Sequence, residues 1–119
     1  MSALLASRSA IISALEAGGI RVATGGRLTA PCVLLEPGDP WSSPVRLPGR
    51  DGRWRLSALA GKADTEAAYA ALGDMIDAVD AALRKLDGIQ LPTWSRPLDL
   101  EYGGTVYAAT IATVVYVSS

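Results

Sequence analysis

The chain has 119 residues, of which 50% are apolar, and a formal net charge of −1, so it can form one modest hydrophobic core but not several domains. It contains no His and one Cys. Imidazole metal sites, thiolate clusters and His-activated nucleophiles therefore lack their usual side chains, and we expect no enzyme and no cofactor. The near-neutral charge argues against a broad basic surface for phosphates, so sequence-specific nucleic-acid binding is not expected.

The first predicted element is a helix over residues 2–17. Apolar side chains recur at helical spacing on one face, namely Leu4, Leu5, Ile11, Ile12 and Leu15. Ser2 suits the N-cap, and the pair Gly18-Gly19 suits the left-handed turn that ends a helix. Arg8 and several serines interrupt the apolar stretch and no basic leader precedes it. We therefore expect neither a signal peptide nor a membrane span, and synthesis in the cytosol.

Three strand-like segments follow this helix. "IRVAT" and "TAPCVLLE" are short apolar runs, and the second places Cys32 as a small buried hydrophobe in a strand covered on both faces. "GRWRLSALA" alternates, so Trp54 and Leu56 are expected on one face and the neighbouring arginines on the other. This third segment is therefore predicted to be a half-exposed strand.

Residues 37–52 are predicted to form an exposed loop rich in proline and arginine. A long ordered loop is more often functional than decorative, and prolines reduce the entropy lost on docking. We therefore interpret the loop as a contact element with Trp41 as its anchor. The candidate charge partners in and after the loop are Arg46, Arg50, Arg53 and Arg55. The alternative is that the arginines only aid solubility and that Trp41 folds back over the sheet.

A long helix is predicted over residues 64–86. Asp64 suits its N-cap, and Arg84 and Lys85 suit the negative end of the helix dipole. One continuous apolar stripe predicts packing across a sheet, and it contains Ala68, Leu72, Met75, Ile76, Val79, Leu83 and Leu86. Asp74, Asp77 and Asp80 form an acidic ridge on the opposite side. We interpret this ridge as a solvated face, with an interface as the alternative, because side chains diverge on an exposed helix.

The carboxyl-terminal segment predicts a β-hairpin around Gly103-Gly104, since both central positions of a type I′ turn need positive φ. This turn pairs Tyr102 with Thr105 and predicts one core face, which carries Leu98, Leu100, Tyr107, Ala109, Ile111, Val115 and Val117. The other face is also too apolar for contact with water. If both helices cover the first face, the loop or another chain must cover the second. We favour another chain, with Val106, Val114 and Tyr116 as contacts.

The sequence as a whole predicts one α+β domain over residues 1–119. Its expected core is a mainly antiparallel sheet of four to five strands, with two helices packed on one face and a long carboxyl-terminal β-hairpin.

The order of these elements resembles the tail terminator, or tail completion, proteins of long-tailed phages, particularly phages of actinobacteria. The similarity lies in "SRSAIISALEAGGIRV", "VLLEPGDPWSSP", "WRLSALAGKADTEAAYAALGDMIDAVDAAL" and the closing hairpin, which together span nearly the whole chain. The resemblance implies a structural virion protein without catalytic residues. Such a protein is made in the host cytoplasm and assembles as a homo-oligomeric ring, commonly a hexamer, at the head-proximal end of the tail.

The same resemblance implies contacts with the tail tube protein and with the connector or stopper protein of the head. The ring would stop tube polymerisation and join tail to head, and DNA would pass through its centre. Two alternatives stay open at this point. One is a head-tail connector or stopper subunit, and the other is a dimeric domain that binds a small molecule in a pocket lined by Trp41 and Trp54.

Overall fold

The computed structural model describes residues 3–44, 50–61 and 65–118. Here two helices lie on one face of a six-stranded sheet. The elements are α1 (Ala3–Ala17), β1 (Val22–Ala23), β2 (Cys32–Pro44), β3 (Arg50–Ala60), α2 (Thr65–Leu83), β4 (Ile89–Gln90), β5 (Leu98–Tyr102) and β6 (Thr105–Ser118). The strand order is β1-β2-β3-β6-β4, with β5 also paired to β6, and only β1 and β2 run parallel. The predicted α+β class is confirmed, and β4 is an additional strand.

Helix α1 ends as its sequence predicts. Gly19 has φ = 80°, and the Ile20 amide donates to the Leu15 carbonyl at 3.0 Å. The Gly19 amide donates to the Glu16 carbonyl at the same distance, which completes the paired bonds of a left-handed helix cap. The predicted N-cap, Ser2, lies outside the described residues.

Helix α2 packs on the sheet through most of the predicted apolar stripe. Its buried side chains are Ala68, Leu72, Val79, Ala82 and Leu83, and Met75 and Leu86 pack at the margin of the core. The helix ends at Leu83, so Arg84 and Lys85 follow it instead of forming its last turn. The predicted cap, Asp64, lies outside the described residues.

Both helices cover the sheet face that carries Trp54, Leu56 and Val114. The core on this side contains Ile11, Leu15, Val33, Leu35, Trp54, Leu56, Val79, Ala82, Leu83 and Val114. The expectation that the helices cover the face of Leu100 and Tyr107 is therefore wrong. The physical reason is the pairing of β3 with β6, which places Val114 opposite Trp54 and so on the helix side.

The second face of the sheet is partly covered by the chain itself. A cluster of Cys32, Leu34, Leu59, Tyr107 and Ala109 is buried there. Leu28 and Ala30, from the segment between β1 and β2, pack against it together with Leu100 and Tyr102 of β5. The segment before β2 thus covers one half of this face, and neither the predicted loop nor another chain is needed there.

Residues 37–44 and 50–52, predicted as loop, are largely strand. Ser42 pairs with Gly52 and Pro44 with Arg50, after an irregularity between Pro37 and Ser42. Proline is tolerated because β1 pairs only with residues 33 and 34, which leaves the rest of β2 at an edge among the described strands. The chain comes close at Gly38, where a Cβ atom would lie 2.9 Å from the Arg53 carbonyl oxygen. Long strands make the described part 48 Å in its longest dimension.

The carboxyl-terminal hairpin has the predicted turn and register. Gly103 and Gly104 have φ values of 59° and 82°, as a type I′ turn requires. Tyr102 pairs with Thr105 and Leu100 with Tyr107, which confirms the predicted cross-strand partners.

Candidate interaction surfaces

The described residues leave several large apolar side chains exposed to solvent. These are Leu5, Trp41, Tyr69, Leu91, Leu98, Val106 and Val117. Within the described ranges, no three Asp, Glu or Cys side chains converge where they could hold a metal ion. Neither described helix combines the length and the apolar character that a membrane-spanning helix needs.

Two of these exposed side chains, those of Tyr69 and Val106, meet at one groove, which we call the hairpin groove. Tyr69 of α2, Leu98 of β5 and Val106 of β6 line it, together with Ala68, Ala108 and Asp99. The groove has a volume of about 180 Å³. It exists because two alanines stand where the first turns of α2 cross the hairpin, so the helix and the strands do not fill the space between them. Tyr69 is 55% exposed and Val106 38% exposed.

Two carboxylates lie along the rim of the hairpin groove. Asp99 pairs with Ala108 and Glu101 with Val106, and cross-strand partners project to the same face of a sheet. Both carboxylates therefore lie on the helix side of β5, and both residues are exposed. The groove is apolar at its floor and acidic at its outer strand.

The outer edge of β5 is paired with no other described strand. β5 pairs with β6 alone. In a two-residue hairpin the residues that flank the turn, here Tyr102 and Thr105, exchange hydrogen bonds, and the pattern alternates along the strands. The amide and carbonyl groups of Asp99 and Glu101 therefore point away from β6, towards the outer edge.

A second apolar surface lies on the uncovered half of the opposite sheet face. We call it the open strip, and it consists of Ile111, Val115 and Val117 of β6. Ile111 and Val115 are half-buried and Val117 is 36% exposed. This strip belongs to the face predicted to be the core, and nothing in the described part of the chain covers it fully.

Two of the four predicted arginine contacts, Arg53 and Arg55, lie beside the open strip, and both already have carboxylate partners. Arg53 Nη2 lies 2.8 Å from Asp51 Oδ2, and Arg55 Nη2 lies 2.7 Å from Glu36 Oε1. The pairing of Arg53 with Val115 places these arginines on the same face as the strip. Arg46 lies outside the described residues. Arg50 is the first residue of β3.

Trp41 folds back onto the sheet, as the alternative interpretation of the loop expects. Its ring meets Trp54 edge to face, with centroids 5.6 Å apart, and 42% of the residue remains exposed. Trp54 is fixed in turn, because its Nε1 donates to Ser7 Oγ at 2.9 Å and Ser7 Oγ donates to the Leu4 carbonyl at 2.7 Å. Trp41 is therefore held from one side and open on the other.

The acidic ridge of α2 divides into two parts. Asp74 and Asp77 are exposed, whereas Asp80 is half-buried and accepts a 3.3 Å hydrogen bond from Trp94 Nε1. Trp94 was not among the predicted site residues. The sequence feature that could have identified Trp94 is its position in "LPTWSRP", a polar connection that does not otherwise need a large aromatic side chain. The exposed acidic helix face consists of Asp74 and Asp77.

The three predicted contact residues of β6 differ in how accessible they are to another chain. Val114 is fully buried under the helices, so the prediction that another chain covers it is wrong, whereas Tyr116 is half-buried at the margin of the same core and its predicted contact stays a prediction. Val106 stays accessible in the hairpin groove. Val114 was assigned to the wrong surface because the helices cover the sheet face opposite to the predicted one.

Cys32 is a buried thiol, as predicted. It is 1% exposed within the second cluster. Burial raises the pKa of the Cys32 thiol, although a backbone hydrogen bond from Thr29 and the charge of Arg21 act in the opposite direction. The reactive thiolate is therefore disfavoured in the folded chain.

Comparison of the chain with protein-family models and with curated protein sequences finds no match.

Proposed function

We propose that this chain is a tail terminator subunit of a long-tailed phage, which forms a ring at the head-proximal end of the tail tube. The observation that carries the proposal is that the sheet side and the helix side of the molecule expose surfaces of different charge and polarity. The sheet side carries the apolar open strip beside Arg53 and Arg55, and the helix side carries the acidic face of Asp74 and Asp77. A head-to-tail contact between identical subunits needs two such different surfaces.

In this ring, the open strip of one subunit packs against the acidic helix face of the next. Burying Val115 and Val117 removes apolar surface from water, and the exposed guanidinium of Arg55 faces carboxylates across the contact. The ion pair between Arg55 and Glu36 is compatible with this arrangement, because exposed ion pairs are weak and exchange partners easily, whereas Arg53 stays paired with the buried carboxylate of Asp51. The similarity in element order to tail terminator proteins supports the same assembly.

The ring stops polymerisation because its tube-side surface occupies the last tube position while its opposite surface offers no further site for a tube subunit. That opposite surface binds the head connector, and DNA passes through the central channel. A stopper or connector subunit would use a similar domain on the head side, and the effect on tube length separates the two functions.

Light scattering tests the ring directly. We expect a mass of several subunits, commonly six, for the protein alone or after it is mixed with tail tubes. Val117→Glu should reduce the ring fraction at least about tenfold, because it places an unpaired carboxylate in an apolar contact. Leu5→Glu is the matched control, since it introduces the same charge at an exposed position on α1. A stable dimer, or equal ring fractions for both variants, would contradict the proposal.

A further inference from the structure

We propose that the outer edge of β5, together with the hairpin groove, docks an extended segment of another protein in which basic and apolar side chains alternate. The site is a property of this chain alone, so the inference does not depend on ring formation. It names a partner surface that the head-to-tail contact leaves free.

The first argument is the supply of unpaired main-chain groups. Asp99 and Glu101 each direct an N–H and a C=O towards the outer edge of β5, where no described strand pairs with them. An added strand can satisfy all of these groups at once, which is how extended peptides bind to exposed sheet edges. Pro97, which has no N–H, precedes this edge, and Gly103 follows it, so the docked stretch is about five residues long.

The second argument is the contrast with the other long edge. β2 carries Pro37, Pro40 and Pro44 and an irregularity in register, and these features prevent a strand from pairing along it. β5 contains no proline and no bulge over Leu98–Tyr102. Among the described residues, this short edge is protected by the charge of its two carboxylates, and charge excludes some strands while it attracts others.

The third argument decides which strands are attracted. Two copies of β5 paired edge to edge would bring Asp99 and Glu101 of both copies together, which like-charge repulsion disfavours. A strand with Lys or Arg on the helix side gains charge pairs with the same residues. On the other side of β5 its neighbours are Leu98, Leu100 and Tyr102, which favour apolar side chains. The edge therefore selects an alternating basic and apolar segment over a second copy of itself.

The fourth argument is the shape of the hairpin groove. Its floor of Val106 and Ala108 and its wall of Tyr69 are apolar, and Asp99 stands at its rim. A Lys or Arg side chain fits this arrangement, because its methylene stem covers apolar surface while its charged head stays near a carboxylate. The groove thus receives one basic side chain of the docked strand.

Titration with short peptides tests the inference. The probe is a nine-residue peptide of alternating Lys and Val. The first control alternates Glu and Val, and the second has the same Lys and Val residues grouped into two blocks. The third is the alternating Lys/Val peptide with Pro at two central Val positions. We expect the alternating Lys/Val peptide to bind at least about tenfold more tightly than each control. The amide signals of Asp99 and Glu101 should shift in NMR spectra and become protected from hydrogen exchange.

Matched charge reversals complete the test. Asp99→Lys with Glu101→Lys should weaken binding of the Lys/Val peptide about tenfold and strengthen binding of the Glu/Val peptide, while Glu16→Lys with Asp87→Lys should change neither. All four positions are exposed, so both variants should fold, and circular dichroism checks this. Equal binding of the proline peptide would overturn strand addition. An equal effect of the charge reversal at Glu16 and Asp87, or no amide protection at Asp99, would overturn the site.

Discussion

The three tryptophans each join a different pair of elements. Trp54 ties β3 to α1 through its hydrogen bond to Ser7. Trp94 ties the connection before β5 to α2 through Asp80, and Trp41 covers Trp54 at the irregular part of β2. An indole has a large apolar area and one donor, so it can fill a gap between elements and also fix its own orientation. These contacts give Trp41 and Trp94 a structural role in segments that are otherwise rich in proline and serine.

The burial of Cys32 predicts a slow thiol reaction. Because the pKa of the thiol is raised, the fraction of thiolate at neutral pH is lower than for a free cysteine, and the sulfur is also covered. In the native protein, Cys32 should react with an aromatic disulfide reagent at least about a hundredfold more slowly than after unfolding in urea.

The control for this reaction is Ser13→Cys with Cys32→Ala, which places the thiol on an exposed position of α1. This variant should react quickly in the folded state. Rapid labelling of Cys32 in the native protein would show that the second cluster is not closed.

At the scale of elements, the sequence predicts the structural features that depend on residues close together in the chain. The helix cap at Gly19, the apolar stripe of α2 and the hairpin register each depend on neighbouring residues, and all three are confirmed. The choice of sheet face is not local. β6 is apolar on both faces, so its alternation cannot show which face the helices cover. That choice depends on the pairing of Trp54 with Val114, two residues far apart in the chain.

The extension of β2 and β3 was missed for a related reason. Pro37, Pro40 and Pro44 predict an irregular loop, yet proline is excluded only where its missing N–H would have to pair. An edge strand leaves one side unpaired, and the sequence does not show that β2 is an edge. The hairpin groove at Tyr69 and Val106 could not be predicted from the sequence, because it forms where α2 lies across the hairpin and these elements are far apart in the chain.

The hairpin turn gives a prediction at this scale. Gly103 has φ = 59° and an added Cβ would meet no atom within 4 Å, so a substitution there tests backbone conformation alone. Gly103→Val should reduce the free energy of unfolding by about 1–2 kcal/mol, because a β-branched residue is strained at positive φ. Gly103→Asn should change it by only a few tenths of a kcal/mol, since asparagine tolerates this conformation. Urea unfolding measures both, and equal losses would mean that the turn is not type I′.

At the scale of the whole molecule, the described part of the chain is elongated, with dimensions of 48 × 27 × 23 Å. Its length follows β6, which carries the hairpin groove near one end and the open strip near the other, on opposite faces. A molecule with unlike surfaces at separate places can contact two neighbours of its own kind and still hold a third protein. In the proposed ring, the open strip and the acidic face of Asp74 and Asp77 form the contact between neighbouring subunits, and the hairpin groove stays free for a third protein.

The most direct measurement is the length of tail tubes grown from purified tube protein, in the presence and absence of this protein, by electron microscopy. The ring account predicts that added protein caps tubes at one end and shortens the length distribution as its concentration rises. It also predicts that Leu5→Glu acts like the unchanged protein and that Val117→Glu does not cap. Tubes that grow to the same uncontrolled length with and without the protein would contradict the proposed function.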